Sequence, residues 1–318
     1  MSLFRTFRGL AAALLLAACA PSFGPAVTGS VPPSVGDDVI TARDGTRLPL
    51  RHWDAEGGKP RAVIVALHGM SDYSNAFDMP GKVWARMGIT TLAYDQRGFG
   101  KNENPGVWVG ADAMRSDLND AVAAARARYP RVPVFVLGES MGGAVVLSAL
   151  RSSQSPAADG VILVAPAVWS RGDMPMLYRV ALFLGAHILP NMILPNSAAA
   201  RVKKIVASDN IPMLIALGKD PLFQKETRTA TLYGLVNLMD EARTAPERIT
   251  TAPPILFLYG ANDQIIPKEP TEAVIAALGD KAKVKRYEHG YHMLLRDLEG
   301  ESVDRDIADW IFRNDRNS

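Results

Sequence analysis

The chain has 318 residues, of which 48% are apolar and 21% charged, a composition typical of a globular protein with a sizeable hydrophobic core. Its 35 lysine and arginine residues nearly balance 33 aspartate and glutamate residues, so no basic surplus indicates a nucleic-acid-binding protein. The sequence has no low-complexity tract, no solenoid-period repeat and no heptad pattern, which excludes fibrous and repeat architectures.

The amino-terminal segment has the pattern of a secretory signal. Arg5 and Arg8 precede an apolar run from Leu10 to Ala18, which is far shorter than the roughly 20 residues that span a bilayer. The run ends in L-A-A-C at Cys19, which resembles the lipobox of bacterial lipoproteins. That resemblance implies a signal peptide at 1–18, cleavage before Cys19, and attachment of a lipid to its sulfur.

A conventional signal sequence is the alternative interpretation of the same residues. Ala18, Cys19 and Ala20 also fit a small-residue cleavage site, but Pro21 is a poor start for that product.

Cys19 is the single cysteine of the sequence and has no intramolecular disulfide partner. Position 20 lacks the aspartate that resembles an inner-membrane retention signal. We therefore expect a bacterial cell-envelope protein, anchored by lipid to the outer rather than the inner membrane.

Residues 19–37 are predicted to form a flexible tether, because they are rich in proline, glycine and serine. Removing Arg5 and Arg8 from the 35 basic residues leaves 33, which equals the number of acidic residues. Attachment to a membrane would then depend on the lipid and not on a basic patch.

Eight short β-branched or aliphatic runs predict the strands of one sheet. The first two flank the turn signal Asp44-Gly45 and predict an opening hairpin. The middle runs are apolar on both faces, as expected of parallel strands that are covered by helices on each side. The predicted strands are Val39–Thr41, Leu48–Trp53, Ala62–Leu67, Thr90–Tyr94, Val134–Leu137, Val161–Val164, Ile255–Leu258 and Val284–Tyr287.

Helical patterns alternate with these strands, for example at 114–125 and at 303–311, and this order predicts an α/β sheet with its active-site loops at the strand carboxyl ends. The alternation stops between 168 and 253, where apolar helical segments such as Met174–Ile188 are separated by prolines. A structureless loop of that length is improbable in a compact domain. We predict a helical cap at 168–253, inserted between core segments 38–167 and 254–318.

The strongest local motif follows the predicted strand Val134–Leu137. Residues Gly138–Gly142 read G-E-S-M-G and lead into an apolar helical segment that includes Ala144. This is the nucleophile-elbow pattern G-x-S-x-G, in which a sharp turn raises the serine hydroxyl above the sheet and the glycines avoid collisions. The motif occurs by chance, but its position between a strand and a helix is specific, so Ser140 is the predicted nucleophile.

A serine nucleophile needs a base within hydrogen-bonding reach and an acid that orients the base. In α/β folds with a nucleophile elbow, the chain order of these residues is serine, acid, histidine. His187 lies in the predicted cap and is expected to be a lining or core residue. His289 and His292 both follow the last strand. We favour His292, because it lies beyond the flexible Gly290 and has more reach, and keep His289 as the alternative.

Asp263 is the predicted acid, because it is the only carboxylate of the loop 260–267 that follows the strand Ile255–Leu258, although many aspartates merely cap turns. Two backbone N–H groups are also needed for the oxyanion of the tetrahedral intermediate. They are expected from Met141, directly after the nucleophile, and from Met70, in the loop after the third strand. His68, in the same loop, is expected to shape the loop rather than act as a second base.

These residues together resemble the monoacylglycerol lipase and lysophospholipase branch of the α/β-hydrolases, a serine aminopeptidase-like family. The resemblance implies an α/β-hydrolase fold, with an eight-stranded, mostly parallel sheet, helices on both faces and a helical cap insertion. It covers nearly everything after the tether. The matching motifs are Asp44-Gly45, His68–Met70, Tyr94–Gly100, Gly138–Gly142, Asp220–Leu222, Asp263, and His292 with Leu294 and Asp297.

The chain departs from the pattern of this family at two positions. Phe99 stands where the arginine-glycine turn usually continues with histidine, and Asp297 stands where a glutamate usually follows the catalytic histidine. Both positions concern the support of loops, and neither change removes a catalytic group. Serine at position 140 argues against the dehalogenase and epoxide-hydrolase relatives, which use aspartate there.

The resemblance implies hydrolysis of a carboxylic ester through an acyl-enzyme on Ser140, with no metal and no organic cofactor. With a lipid anchor and an apolar cap, the expected substrates are single-chain lipid esters such as monoacylglycerols or lysophospholipids. The candidates for an acyl tunnel are the flexible or apolar cap residues Met176, Leu177, Leu182 and Phe183. The alternative is that these side chains simply pack the cap onto the sheet.

Other functions are compatible with the same residues. An acyltransferase or an esterase of small esters would keep the triad and change the acceptor or the acyl group. A non-catalytic envelope lipoprotein would keep the fold, but such proteins usually lose a triad member or block the oxyanion loop. A peptidase of the same superfamily would need a site for a free amine, and the sequence shows no obvious one.

Overall fold

The computed structural model of the protein describes residues 27–151, 155–196 and 205–314. Eleven β-strands occur in these ranges. They are β1 (Ser34–Val35), β2 (Val39–Thr41), β3 (Arg47–Trp53), β4 (Ala62–Leu67), β5 (Ile89–Tyr94), β6 (Val134–Glu139), β7 (Gly160–Val164), β8 (Ile193–Pro195), β9 (Glu226–Arg228), β10 (Ile255–Gly260) and β11 (Ala282–Tyr287).

Nine of these strands form one sheet, in the order β1-β2-β3-β5-β4-β6-β7-β10-β11. The first four strands of that order pair antiparallel, and every pair from β5 to β11 is parallel. The predicted mostly parallel sheet is therefore confirmed. The opening hairpin β2–β3 also forms as expected, and Gly45 in its turn has φ +82°.

Eight α-helices occur in the described residues. They are α1 (Asp78–Arg86), α2 (Ala111–Arg128), α3 (Met141–Leu150), α4 (Met176–Ile188), α5 (Ile211–Lys219), α6 (Thr229–Thr244), α7 (Lys268–Leu278) and α8 (Gly300–Arg313). Helix α2 ends before Tyr129-Pro130, because proline cannot continue the hydrogen-bonding ladder of a helix.

The core lies on both faces of the sheet, because the central strands are buried on both sides. Alternate residues of β4 face opposite layers. Val63, Val65 and Leu67 belong to the cluster that includes residues of α2, α3 and α7, whereas Ile64 and Ala66 belong to the cluster with residues of α1 and α8. The parallel strands therefore all end at one edge between the two helical layers, which is where loops from different strands can meet.

The sheet differs from the prediction by one strand. All eight predicted strands are present, and the two-residue strand β1 adds a ninth by pairing antiparallel with β2. It lies inside the segment 19–37 that was predicted to be a tether. The prolines at 32 and 33 do not prevent this short pairing, because it begins at Ser34, directly after them.

The segment between β7 and β10 contains the helices α4, α5 and α6. It also contains a feature that the sequence did not predict, a small antiparallel pair of strands, β8 and β9. Each of these strands has only three residues and includes polar or proline positions, so neither shows the alternation of a predicted strand.

The amino-terminal predictions fall outside the described residues, including the signal peptide at 1–18 and Cys19. Within the residues that are described, no helix combines the length and apolarity that a membrane crossing requires.

Candidate active site

The predicted nucleophile lies in a strained turn between β6 and α3. Ser140 has φ +52° and ψ −114°, a conformation that costs free energy in a residue with a side chain. The neighbouring position 142 accepts only glycine, because a Cβ there would lie 2.2 Å from the Leu67 carbonyl oxygen. The Ser140 N–H donates to the Val164 carbonyl at 3.0 Å. The tight packing of this turn against β4 and β7 fixes where the hydroxyl stands.

The structure brings the three predicted triad residues together. His292 Nε2 lies 2.9 Å from Ser140 Oγ, and His292 Nδ1 lies 2.8 Å from Asp263 Oδ2. The other oxygen of Asp263 accepts the N–H groups of Ile265 and Ile266 at 2.8 and 3.0 Å. The carboxylate is thus fixed by backbone donors and can accept the Nδ1 proton, which leaves Nε2 free to accept the proton of the serine.

The other two histidines that follow Ser140 in the chain lie elsewhere. His289, the alternative base, is exposed on the surface of the last loop. His187 is buried in the cap, where its ring stacks on Phe183 with centroids 4.0 Å apart and meets Tyr233 edge-on. In the part of the chain that the structure describes, neither imidazole contacts Ser140. The geometry therefore favours His292 as the base.

The environment of His292 sets its proton affinity. Burial lowers the pKa of His292, but the negative charge of Asp263 and the hydrogen bond to it outweigh burial, so the pKa lies above its ordinary value. The charge of Glu139 raises the pKa further, whereas Arg296 lowers it. A general base must be neutral to accept a proton. These charges therefore set the lowest pH at which His292 can act as the base.

The predicted oxyanion loop lies directly against the nucleophile. A Cβ on Gly69 would lie 3.2 Å from Ser140 Cβ, so the glycine allows the loop to approach this closely. Met141 is the first residue of α3, and the N–H group at this position of a helix has no partner within the helix. The loop that carries Met70 thus lies close to Ser140, and Met141 follows the serine directly. This proximity is compatible with the predicted oxyanion hole, which needs two N–H groups beside the nucleophile.

His68 fixes the orientation of this loop. Its Nε2 accepts the Gln96 N–H at 2.9 Å, so Nδ1 carries the proton and donates to the Gly69 carbonyl at 2.8 Å. That carbonyl and the Met70 N–H belong to the same planar peptide unit, so holding one orients the other. Burial keeps the pKa of His68 below its usual value, and the buried ring of Phe99 lies edge-on against it. A neutral structural imidazole fits these contacts.

A buried arginine, Arg296, connects the histidine loop to the oxyanion loop and to the nucleophile turn. The sequence did not predict this residue as part of the site. Arg296 lies in the turn after His292, with Nη1 2.8 Å from Asp72 Oδ2, and Nη2 donates to Glu139 Oε2 at 3.4 Å. Asp72 belongs to the oxyanion loop, and Glu139 precedes the nucleophile. The position of Glu139 inside the elbow motif could have indicated a role in the site. Its partner Arg296 lies 157 residues further along the chain, so the motif alone does not identify the pair.

The cap is tied to the loop that carries His292. Asp297 accepts the Ser208 hydroxyl at 2.6 Å with one oxygen and the Tyr291 N–H at 2.6 Å with the other. The Asn210 side chain donates to the Arg296 carbonyl at 2.9 Å. The aspartate at 297 therefore still supports the histidine loop, and it does so by linking the loop to the cap.

The four predicted acyl-tunnel residues have different environments in α4. Leu182 is partly buried and packs against the core. Met176, Leu177 and Phe183 are 65%, 73% and 43% exposed. The exposed positions are not those of an enclosed tunnel wall, and among the four only Leu182 has an environment that suits such a wall.

Metal chemistry has no visible site in the described part of the chain. Within residues 27–151, 155–196 and 205–314, no group of three or more His, Cys, Asp or Glu side chains could hold a metal ion.

Known proteins share both this sequence pattern and this fold. The model of the Hydrolase_4 family, described as serine aminopeptidase S33, matches residues 58–299. The monoglyceride lipase of Rattus norvegicus is 29% identical over 84% of this chain and 88% of its own length. The monoacylglycerol lipase of Mycolicibacterium smegmatis is 27% identical over 84% of this chain and 93% of its own length.

The crystal structure of the Paleococcus ferrophilus monoacylglycerol lipase superposes on this chain with a TM-score of 0.70 at 20% identity. The superposition covers 85% of this chain and 100% of that one. A likeness at this identity concerns the fold, and it confirms the predicted α/β-hydrolase fold.

We expect the substitution Glu139→Gln to move the acid limb of the kcat/KM profile toward lower pH. The carboxylate of Glu139 raises the pKa of His292, so its removal lowers that pKa and keeps the imidazole neutral in more acidic solution. The measurement is the rate of ester hydrolysis as a function of pH for the two proteins.

The substitution Asp304→Asn is the matched control. Asp304 is also a buried carboxyl group, but the main charges that act on His292 are those of Asp263, Glu139 and Arg296, so Asp304→Asn should leave the profile in place. An acid limb that does not move in Glu139→Gln, or that moves equally in Asp304→Asn, would contradict the electrostatic role of Glu139.

Proposed function

We propose that this chain, which belongs to the Hydrolase_4 family (serine aminopeptidase, S33), hydrolyses single-chain lipid esters through an acyl-enzyme on Ser140. The observation that carries the proposal is the hydrogen-bonded series Asp263, His292 and Ser140, with distances of 2.8 and 2.9 Å. Its members follow the strands β6, β10 and β11 in the chain, and the segment between β7 and β10 has a large exposed apolar surface.

The first half of the reaction acylates the enzyme. His292 Nε2 takes the proton of the Ser140 hydroxyl while its oxygen attacks the ester carbonyl. The carbonyl oxygen becomes negative and is stabilised by the N–H groups of Met70 and Met141. When the tetrahedral intermediate collapses, the bond to the alcohol breaks, and His292 gives its proton to the departing alcohol.

The second half releases the fatty acid. A water molecule takes the place of the alcohol, and His292 removes its proton as it attacks the acyl carbonyl. The second tetrahedral intermediate collapses by breaking the bond to the serine oxygen, which recovers its proton from His292. Asp263 stabilises the imidazolium in both halves and keeps the Nδ1 proton in place.

The surface of the cap supports a lipid substrate. Helices α4 and α5 leave many large apolar side chains at least two-fifths exposed, which is unusual on a soluble surface and suits contact with lipid. These residues are Met176, Leu177, Tyr178, Val180, Phe183, Leu184, Ile188, Ile211 and Ile215. The names of the rat and M. smegmatis relatives refer to monoglycerides, which are esters of this class.

We expect the substitution Ser140→Ala to lower kcat for a monoacylglycerol by at least ~10⁴-fold, because the attacking oxygen is lost. Ser148→Ala is the matched control, since that hydroxyl lies on α3, the helix that follows Ser140, and donates to the Val145 carbonyl at 2.9 Å. The measurement is fatty-acid release by the purified proteins. Hydrolysis by Ser140→Ala at close to the wild-type rate would overturn the assignment.

The acyl preference follows from the position of Leu182. We expect turnover to increase from short to long acyl chains, and Leu182→Ala to reduce long-chain turnover selectively, because Leu182 is the one partly buried side chain among the four acyl-tunnel candidates. Leu177→Ala removes a side chain that is 73% exposed and serves as the control. Rates that fall steadily beyond short acyl groups would instead favour a small-ester esterase, and product analysis with added glycerol would detect acyl transfer.

We further propose that Cys19 carries a lipid that anchors the protein in the bacterial cell envelope, at the outer rather than the inner membrane. The proposal rests on the apolar run up to Ala18 and the L-A-A-C motif. In the native host, Cys19→Ser should move the protein from the membrane fraction to the soluble fraction, whereas Ser22→Ala should not. Membrane association of Cys19→Ser that survives an alkaline wash would count against lipidation.

A further inference from the structure

The oxyanion loop is a strained turn. The Asp72 N–H donates to the Gly69 carbonyl at 3.4 Å, so Met70 and Ser71 are the two central residues of a four-residue turn. Ser71 has φ +71°, the left-handed conformation that a type II turn requires at its third residue and that glycine usually supplies. A serine at this place is strained and persists only when surrounding contacts hold it.

The cap supplies contacts of this kind. The Asn196 side chain donates from Nδ2 to Ser71 Oγ at 2.9 Å, and the Gln224 N–H donates to the Ser71 carbonyl at 2.8 Å. Asn196 follows β8 and Gln224 precedes β9, so the small antiparallel pair of the cap brings both groups to the turn. Ser71 is buried there, with 7% of its surface exposed.

The Asn196 side chain has little freedom to reorient. Its Nδ2 also donates to the Gln224 carbonyl at 2.8 Å, and its Oδ1 accepts the Thr227 hydroxyl at 2.6 Å. Its backbone N–H donates to the Lys225 carbonyl at 2.9 Å. An amide with donors and acceptor all engaged holds one orientation, so it presents a fixed donor to Ser71.

We propose that Asn196 is a positioning residue for the oxyanion hole. Through its hydrogen bond to Ser71, Asn196 holds the turn that presents the Met70 N–H. The inference rests on the proposed function, because it presumes that this N–H stabilises the oxyanion. Asn196 itself touches no reacting atom. The stabilisation of the transition state therefore depends on how the cap is seated, even though the triad belongs to the core.

The substitution Asn196→Ala tests this role. Removal of one oxyanion donor lowers kcat by about 10²–10³-fold, and a displaced donor keeps part of its effect, so we expect kcat to fall about 10- to 100-fold with KM nearly unchanged. A long-chain alkyl boronic acid, whose tetrahedral adduct with serine resembles the intermediate, should bind more weakly by a similar factor. Asn237→Ala is the matched control, since Asn237 lies in the cap but accepts from Arg171 at 2.6 Å.

A second experiment tests the route through Ser71. Glycine adopts a positive φ without strain, so the double variant Asn196→Ala with Ser71→Gly should recover most of the kcat that Asn196→Ala loses. If Asn196→Ala does not fold, Ser71→Ala removes the same hydrogen bond from the other side and should show the same selective loss of kcat.

Three results would overturn the proposal. They are a wild-type kcat and boronate affinity in Asn196→Ala, a loss that Asn237→Ala shows equally, and a loss of kcat that glycine at position 71 does not restore. None of them bears on the proposed function, which is tested by Ser140→Ala in the same assay. An active Ser140→Ala protein would instead refute the function itself.

Discussion

The close contact between the nucleophile turn and its neighbouring strands is the constraint on which the site depends. The absence of a side chain at position 142 lets the turn pack on the Leu67 carbonyl, and the Ser140 N–H is bound to Val164. Both contacts come from strands that flank β6 in the sheet. The packing of the turn against β4 and β7 thus offsets the conformational strain of Ser140. Every other group of the site has to reach this fixed hydroxyl.

Buried charges arrange the loops around that hydroxyl. Arg296 links the histidine loop to Asp72 and Glu139, and the cap links to the same loop through Asp297. Buried ion pairs contribute little net stability when desolvation is included, but removing one partner leaves a charge that is costly to bury. Their effect is to permit one relative position of the three loops. The same charges also tune His292, so geometry and proton affinity are not independent properties here.

The sequence predicted the local elements well and the long-range contacts poorly. Alternation and apolar runs located all eight predicted strands, and β6 extends two residues further only because Gly138 and Glu139 pair with β4 and β7, although neither is a typical strand residue. The triad followed from motif and chain order. The partners of Arg296 and Asn196 could not be predicted, because they are distant in sequence and their side-chain geometry leaves no periodic signal.

The insertion of the cap has a consequence for the way the chain is made. Strand β7 pairs with β10, so that Val161 lies beside Ile255, and the whole cap is synthesised between them. A nascent chain that has left the ribosome only as far as β7 carries its serine but has an open, apolar sheet edge, a state prone to wrong pairing. The acid Asp263 and the base His292 both follow the cap in the chain. The growing polypeptide therefore lacks the groups that activate Ser140 until the segment after the cap has been synthesised.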